Sequence, residues 1–233
     1  MFITFEGGEG TGKSTQVKLL AERLRAQGRD VLTTREPGGT PEAEALRDLL
    51  VSGESSRWSS EAEALLNYAA RDSHLRVLIR PALAASKIVI CDRFMDSTRA
   101  YQGFAGDCPM SIIDQLETSI VKSSRPDLTL IFDLDPTIGI QRSNEKLAGL
   151  MDISLSRYQL AHETEFEPVL TEAQHYEKMA QESRFERKGI AFHQHLREGF
   201  LAIAKSEPNR CKVIDASQNI DAVAKQIWHA VHG

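Results

Sequence analysis

The stretch Phe2–Gln16, FITFEGGEGTGKSTQ, decides how the rest of the chain is read. Phe2–Phe5 is a short apolar run of strand type, glycines at 7, 8, 10 and 12 interrupt it, and an amphipathic helical pattern opens at Lys13. Gly7, Gly12, Lys13 and Ser14 satisfy GxxxxGK(S/T) with a strand before and a helix after, which is the context the chemistry requires. Glycines let successive backbone N–H groups turn inward around phosphate oxygens, and the helix N-terminus adds its partial positive charge. Gly7, Gly8, Glu9, Gly10, Thr11, Gly12, Lys13, Ser14 and Thr15 are therefore the expected cradle of a triphosphate. Lys13 is expected to reach the β- and γ-phosphates, and Ser14 to ligate Mg²⁺. Glu9 puts an acid in this loop, and no cation precedes Lys13.

Working outward, short apolar runs alternate with amphipathic stretches. FITF, DVLTTR, KIVICD, DLTLIFDLD and CKVIDA are the strand candidates, and their alternation with helical patterns predicts an α/β fold, a parallel five-stranded sheet flanked by helices. Thr40 followed by Pro41 reads as a helix start, and Ser60 with Glu63 reads as a capping box. From Ala62, the apolar residues Leu65, Leu66, Ala69, Leu75, Leu78, Ile79, Ala82 and Leu83 keep close to a helical period, and Pro81 is expected to kink or end that helix. Residues 143–182 are rich in charge, Gln, Ser and Glu, and read as a partly helical surface excursion. Phe185, Phe192, Leu196 and Ile203 resume helical spacing, and a closing helix starts from Asn219. The whole of 1–233 reads as one domain.

With 233 residues, 41% hydrophobic and 26% charged content, the chain is long enough to bury a substantial core. A formal net charge of −5 argues against a dedicated nucleic-acid or membrane-surface binder, which needs a basic footprint. Cys91, Cys108 and Cys211 lack CxxC spacing and read as reduced thiols of a cytoplasmic protein. No cationic leader followed by an apolar stretch opens the sequence, so neither a secretory signal nor a membrane span is expected.

The phosphate loop is shared by switch GTPases, motor ATPases and small-molecule kinases. A GTPase would need a guanine-reading NKxD element, and the nearest approach is NEK at Asn144–Lys146, with no strand before it. A motor would carry an acidic pair after a strand, whereas Asp92 after KIVIC is followed at once by Arg93. Three further stretches, TREPGGTPEAEALR, LLNYAARDSHL and CDRFMDSTRAYQG, lie at strand ends or on a helix facing them. Open parallel sheets bind ligands at the carboxyl ends of their strands, so these stretches converge on the loop and argue for a second substrate.

Together FEGGEGTGKSTQ, TREPGGT, DRFMDSTRAYQG and the closing VIDAS resemble the thymidylate kinase family over nearly the whole chain. The resemblance implies a phosphate-loop nucleoside monophosphate kinase fold with a helical lid at about 142–187, transfer of the γ-phosphate of ATP to dTMP with Mg²⁺, and a homodimer. The alternatives left open are a kinase for another nucleoside monophosphate and an ATP-dependent switch or partner-binding module.

Arg35 and Arg93 are suited to bidentate phosphate binding, and the resemblance assigns them, with Pro37 and Ser97, to the dTMP side. Asp92 is expected to hold Mg²⁺ with Ser14 and to orient Arg93. Thr98 and Gln102 lie one helical turn apart and can both point at a base edge; the resemblance implies that this face reads thymine, that Tyr101 selects deoxyribose and that Arg71 meets the thymine carbonyl. Asn67 stands where the family usually has a stacking aromatic, which leaves base preference open; Tyr68 lies about 100° further round the helix. By resemblance to the bacterial enzymes, Glu9 would accept a hydrogen bond from the sugar 3′-hydroxyl. His193 and His195 read as solvated helix residues.

One branch of the family places its catalytic cation in the phosphate loop. Gly8–Thr11 contain none, so this chain resembles the branch whose lid brings an arginine, with Arg184 or Arg142 favoured over Arg157 and Arg187. Arginines that stabilise a transferring phosphoryl group are worth about 10³–10⁵ in rate. Single alanine substitutions at these four positions are expected to include one whose kcat falls by about that factor; steady-state kinetics with all four within about threefold of the parent would remove the lid cation from the mechanism.

Overall fold

Every residue of β1 (Phe2–Gly7) is buried, because this strand occupies the centre of the sheet and is covered on both faces. The computed structural model describes residues 1–54, 56–145, 148 and 188–232. In it β1 pairs with β3 (Ile88–Asp92) on one side and β4 (Leu128–Asp133) on the other, with β2 (Val31–Arg35) and β5 (Cys211–Asp215) beyond them. The order is β2-β3-β1-β4-β5 and all pairings are parallel. This is the five-stranded α/β arrangement expected from the apolar runs, which were legible because parallel strands buried on both faces carry near-continuous apolar sequence. The last run was read too long: β4 stops at Asp133, and helical residues begin at 136.

The strand period of two divides the core. Ile3 and Phe5 pack with α1 (Lys13–Ala26) and the closing helix α8 (Ile220–His232), while Phe2 packs with α3 (Ser60–His74) and Phe94 on the other face. A third cluster, containing Tyr101, Ile131 and Phe200, joins β4 to α7 (Ile190–Ser206). α2 (Pro41–Val51) starts as expected, with Thr40 Oγ1 accepting from Ala43 N at 3.3 Å. Asn219 likewise caps α8 by accepting from Ala222 N at 2.9 Å.

Two helical expectations are corrected. The cap of α3 is Ser59, whose hydroxyl accepts from Ala62 N at 3.2 Å; Ser60 accepts from Asp107 N instead, and Glu63 turns inward to Gln102. Of the two outcomes expected at Pro81, a kink or an end, the end is not seen: helical residues continue to Ala84. A π turn over Leu75–Ile79 precedes α4 (Arg80–Ala84), and the wider turn absorbs the missing donor and the crowding of the ring. A second π turn, Arg99–Phe104, follows the short helix α5 (Met95–Thr98). Of the charged excursion at 143–182, only 143–145 and 148 are among the described residues, and Phe185 falls outside them.

α5 and its π turn are tied to the sheet by buried charge. Asp96 is fully buried and receives Arg210 Nη1 and Nη2 at 2.7 and 3.0 Å, while Arg210 Nη1 also donates to Thr129 Oγ1 of β4 at 2.6 Å. Glu207 accepts from Arg210, Arg99 and Arg125, and Arg99 and Arg125 in turn pair with Glu117 of α6 (Met110–Ile120). Partial burial opposes ionisation of Glu207, but these guanidinium groups outweigh it and hold its carboxyl down at about 2. Removing one partner of a buried pair strands the other and costs about 3–5 kcal/mol. Asp96→Ala is expected to lower unfolding free energy by about that amount, read as a fall in the denaturant midpoint; a loss below about 1 kcal/mol would show that solvent reaches Arg210.

Candidate active site

The phosphate loop closes around the Lys13 ammonium, which is buried and donates to Gly7 O at 3.1 Å, Gly8 O at 2.6 Å and Thr11 Oγ1 at 3.1 Å. Thr11 donates back to Gly8 O at 3.0 Å. Burial, and then the neighbouring Arg93 charge, lower the Lys13 pKa to about 8 against the pull of Glu9, Asp92 and Glu6. Ser14 Oγ donates to Asp92 Oδ2 at 2.8 Å, so a hydroxyl and a carboxylate oxygen meet where α1 starts. Such oxygen ligands suit Mg²⁺, which takes one or two protein oxygens and completes its shell with phosphate and water. The loop also touches the residues that follow β4: a Cβ on Gly10 would lie 1.9 Å from Gly139 O, and one on Gly139 would lie 2.4 Å from Glu9 O. Only glycine at both positions permits this backbone contact.

Across the loop stands Arg93. Its Nη1 donates to Gly7 O at 2.9 Å and to Ser97 Oγ at 3.4 Å, and its Nη2 pairs with Glu9 Oε1 at 2.8 Å. Tyr101 lies under the guanidinium, 5.1 Å from its centre, and donates its hydroxyl to the same Glu9 oxygen at 2.7 Å. Burial opposes the charge on Glu9, but Arg93, Lys13 and the Tyr101 hydroxyl prevail and hold its carboxyl down at about 2. Asp92 is expected from the sequence to orient Arg93; the guanidinium instead donates its hydrogen bonds to Gly7, Ser97 and Glu9, and Asp92 accepts from Ser14.

Behind Arg93 lies a second arginine site. Arg71 is buried, with Nε donating to Glu36 Oε2 at 2.8 Å and Nη2 to Thr98 Oγ1 at 3.1 Å. Burial opposes its charge and Glu36 more than restores it, raising its pKa. Its Nη1 has no partner among the described residues, so one donor remains for a carbonyl. His74 Nδ1 approaches the other Glu36 oxygen at 3.0 Å. Gln102 is buried with Nε2 donating to Glu63 Oε2 at 2.8 Å. Asn67 donates to the Glu63 carbonyl at 2.9 Å, while Tyr68 is wholly buried against Arg71. Arg35 is exposed and paired with Glu44 at 3.2 Å, beyond the Arg71 cluster, and the Pro37 carbonyl accepts from Arg47 at 3.1 Å.

On the opposite side of the loop a cavity of about 570 Å³ is lined by Gly12, Thr15, Gln16, Arg142, Ala216 and Asn219 among others. Arg142 Nη1 donates to Ala216 O at 3.2 Å, which places this arginine at the far end of the loop from Arg93. Arg157, Arg184 and Arg187 lie outside the described residues. Sequence reasoning gave no site role to Glu6, Glu36 or Gly139 and took Glu63 for a capping residue; Glu6 and Glu36 sit inside the quoted FITFEGG and TREPGGT, while Gly139 gave no local signal. His193 is corrected: it is buried, and it lines a small cavity with Glu9, Asp133 and Arg197, whereas His195 is exposed.

A cavity and an arginine cluster thus flank one phosphate loop on its two sides. A family model described as thymidylate kinase matches residues 5–164. The chain belongs to the thymidylate kinase family. A thymidylate kinase of Caulobacter vibrioides is 48% identical over 230 residues, covering 99% of this chain and 95% of that protein. One from Magnetococcus marinus is 44% identical over 234 residues, with 100% and 95% covered. The crystal structure of thymidylate kinase from Ehrlichia chaffeensis superposes with a TM-score of 0.69 at 33% identity, covering 99% of this chain and 98% of that one. This thymidylate kinase family member is a nucleoside monophosphate kinase, phosphorylating dTMP to dTDP on the route to dTTP.

For such a kinase the state of Lys13 sets a proton balance. Above about pH 8 the lysine has lost much of its charge, and a bound triphosphate would restore it. ATP binding at about pH 8.5 is therefore expected to take up a proton, seen as a calorimetric binding enthalpy that changes with the ionisation enthalpy of the buffer. Uptake should shrink toward about pH 7, where Lys13 is already charged; an enthalpy independent of buffer at the higher pH would contradict the lowered pKa.

Proposed function

We infer that the γ-phosphate of ATP passes to a phosphate oxygen of dTMP held beside Arg93, giving dTDP and ADP. The observation that carries this reading is the Arg93–Glu9–Tyr101 group seated on the rim of the phosphate loop through Gly7 O. It puts an acceptor-side cation and a donor-side lysine on one carbonyl.

Lys13 and the loop amides, Gly7 to Thr15, hold the donor phosphates, and the large cavity beside Arg142 receives the adenosine end. Mg²⁺ held by Ser14 and Asp92 would neutralise phosphate charge. Arg93, with the outer Arg35, holds the dTMP phosphate, and Ser97 and Pro37 belong to the same wall. Arg71 Nη1, unpartnered among the described residues, meets the thymine carbonyl, while Thr98 and Gln102, fixed by Arg71 and Glu63, read the base edge. Glu9, ionised and still partly open, accepts from the 3′-hydroxyl, and Tyr101 crowds the C2′ position. No general base is needed, because a phosphate oxygen of dTMP is already a competent nucleophile at neutral pH; catalysis is positioning and charge stabilisation. Of the two favoured lid arginines, Arg142 lines the cavity given to the adenosine end, so the remaining cation falls to Arg184, and closure excludes water.

The same reading includes one domain, a cytoplasmic location and a homodimer. No described helix is long and apolar enough to cross a membrane, and Leu65 and Val77 are the large apolar side chains that the α3 region leaves open to a second copy.

The test is ADP formation from ATP and Mg²⁺ with dTMP, dUMP, dGMP, dCMP, UMP and 3′-deoxy-dTMP supplied separately. dTMP is expected to be the preferred acceptor, and Glu9→Ala to erase the preference for dTMP over its 3′-deoxy analogue. Equal use of another base would mean that Asn67 marks an altered pocket, and an unchanged 3′-hydroxyl preference in Glu9→Ala would remove that role from Glu9.

A further inference from the structure

Glu6 is wholly buried, lies on the β1 face shared by Phe2 and Thr4, and has no part in the chemistry described above. Burying a carboxylate is costly unless it is well bonded, so its partners are informative. Glu6 Oε1 accepts from Phe94 N at 2.8 Å, and Oε2 accepts from the Ser97 hydroxyl at 2.5 Å. These two donors bracket the start of α5, directly after Arg93, which is held at φ 69° in the left-handed region. With its proton committed to Glu6, the Ser97 oxygen keeps its lone pairs for Arg93 Nη1 at 3.4 Å. The next residue along β1, Gly7, offers its carbonyl to the same nitrogen at 2.9 Å. Two successive residues of β1 thus grip Arg93 from both ends, one through its backbone turn and one through its guanidinium.

We propose that Glu6 is a positioning residue for the acceptor site, fixing the Phe94–Ser97 turn and the Ser97 hydroxyl so that Arg93 faces the dTMP phosphate in register with the phosphate loop. The proposal rests on the reading that Arg93 binds that phosphate. Glu6 feels Asp96 and Arg93 directly, with Lys13, Arg71, Cys91 and Cys211 also within electrostatic reach. Burial and the Asp96 charge raise its pKa to about 7, against Ser97, Arg93 and the Phe94 amide. The two-acceptor arrangement belongs to the ionised carboxylate, so the assays are run at about pH 8.5, above that value; a neutral side chain of the same shape would still bridge the turn but would lose it.

The experiment compares Glu6→Gln, Ser97→Ala, their double variant and Arg93→Ala in steady-state assays with dTMP and ATP varied separately. Glu6→Gln and Ser97→Ala are each expected to raise KM for dTMP about tenfold with KM for ATP within about twofold, and the double variant to be no worse than the weaker single, as for groups acting through one link. Additive losses, equal loss on ATP, or parent-like KM for dTMP would overturn the proposal. Should Glu6→Gln fail to fold, Glu6→Asp, which withdraws the carboxylate by one methylene, must show the same loss confined to dTMP. Arg93→Ala separates the two levels: if it leaves KM for dTMP unchanged, the acceptor reading fails and takes the proposal with it, whereas a large rise there with parent-like Glu6 and Ser97 variants sinks the proposal alone.

Discussion

A single carbonyl oxygen, that of Gly7, accepts from Lys13 Nζ at 3.1 Å and from Arg93 Nη1 at 2.9 Å. The donor-side lysine and the acceptor-side arginine are thereby referred to one atom at the end of the central strand. Two cations so close repel each other, which contributes to the lowered pKa of Lys13. Glu9 makes the arrangement tolerable by pairing with Arg93 at 2.8 Å while also attracting Lys13. The acid that looks out of place in a phosphate-loop sequence is the counter-charge that lets two cations share one strand end.

Around that point, rigidity comes from bonded charge rather than from apolar packing alone. Asp96 with Arg210, Glu36 with Arg71 and His74, and Glu6 with Phe94 N and Ser97 each immobilise one part of the acceptor wall. Buried pairs of this kind add little net stability, because desolvation consumes most of the attraction, but they penalise every other arrangement strongly. The side chains on this wall are held in fixed register by that penalty. The loop itself is buttressed at Gly10 by the backbone of Gly139, on the helical residues that carry Arg142 to the nucleotide cavity.

Much of this was open to a reader of the sequence. The five strands declared themselves because a parallel sheet covered on both faces needs unbroken apolar runs, and the phosphate loop because its glycines, Lys13 and Ser14 are local requirements of backbone geometry. Thr40 and Asn219 were legible as helix starts for the same reason: a cap is settled by residues within one turn. Arg71, Arg93, Thr98, Tyr101 and Gln102 were marked out by family resemblance and stand on one side of the loop.

What the sequence by itself determined is therefore whatever depends on neighbours along the chain: strand period, loop chemistry, helix punctuation and the family to which the motifs belong. The tertiary structure decided the rest. Pro81 passed inside a continuing helix with a π turn before it, and Ser59 rather than Ser60 is the cap, while Glu63 accepts from Gln102, 39 residues away. Glu6 reads as an ordinary strand residue until Phe94 and Ser97 arrive across the sheet, and His193 reads as solvated until Phe192 and the loop enclose it. Buried polar groups acquire their meaning from partners distant in sequence, because only folding removes the water that would otherwise satisfy them.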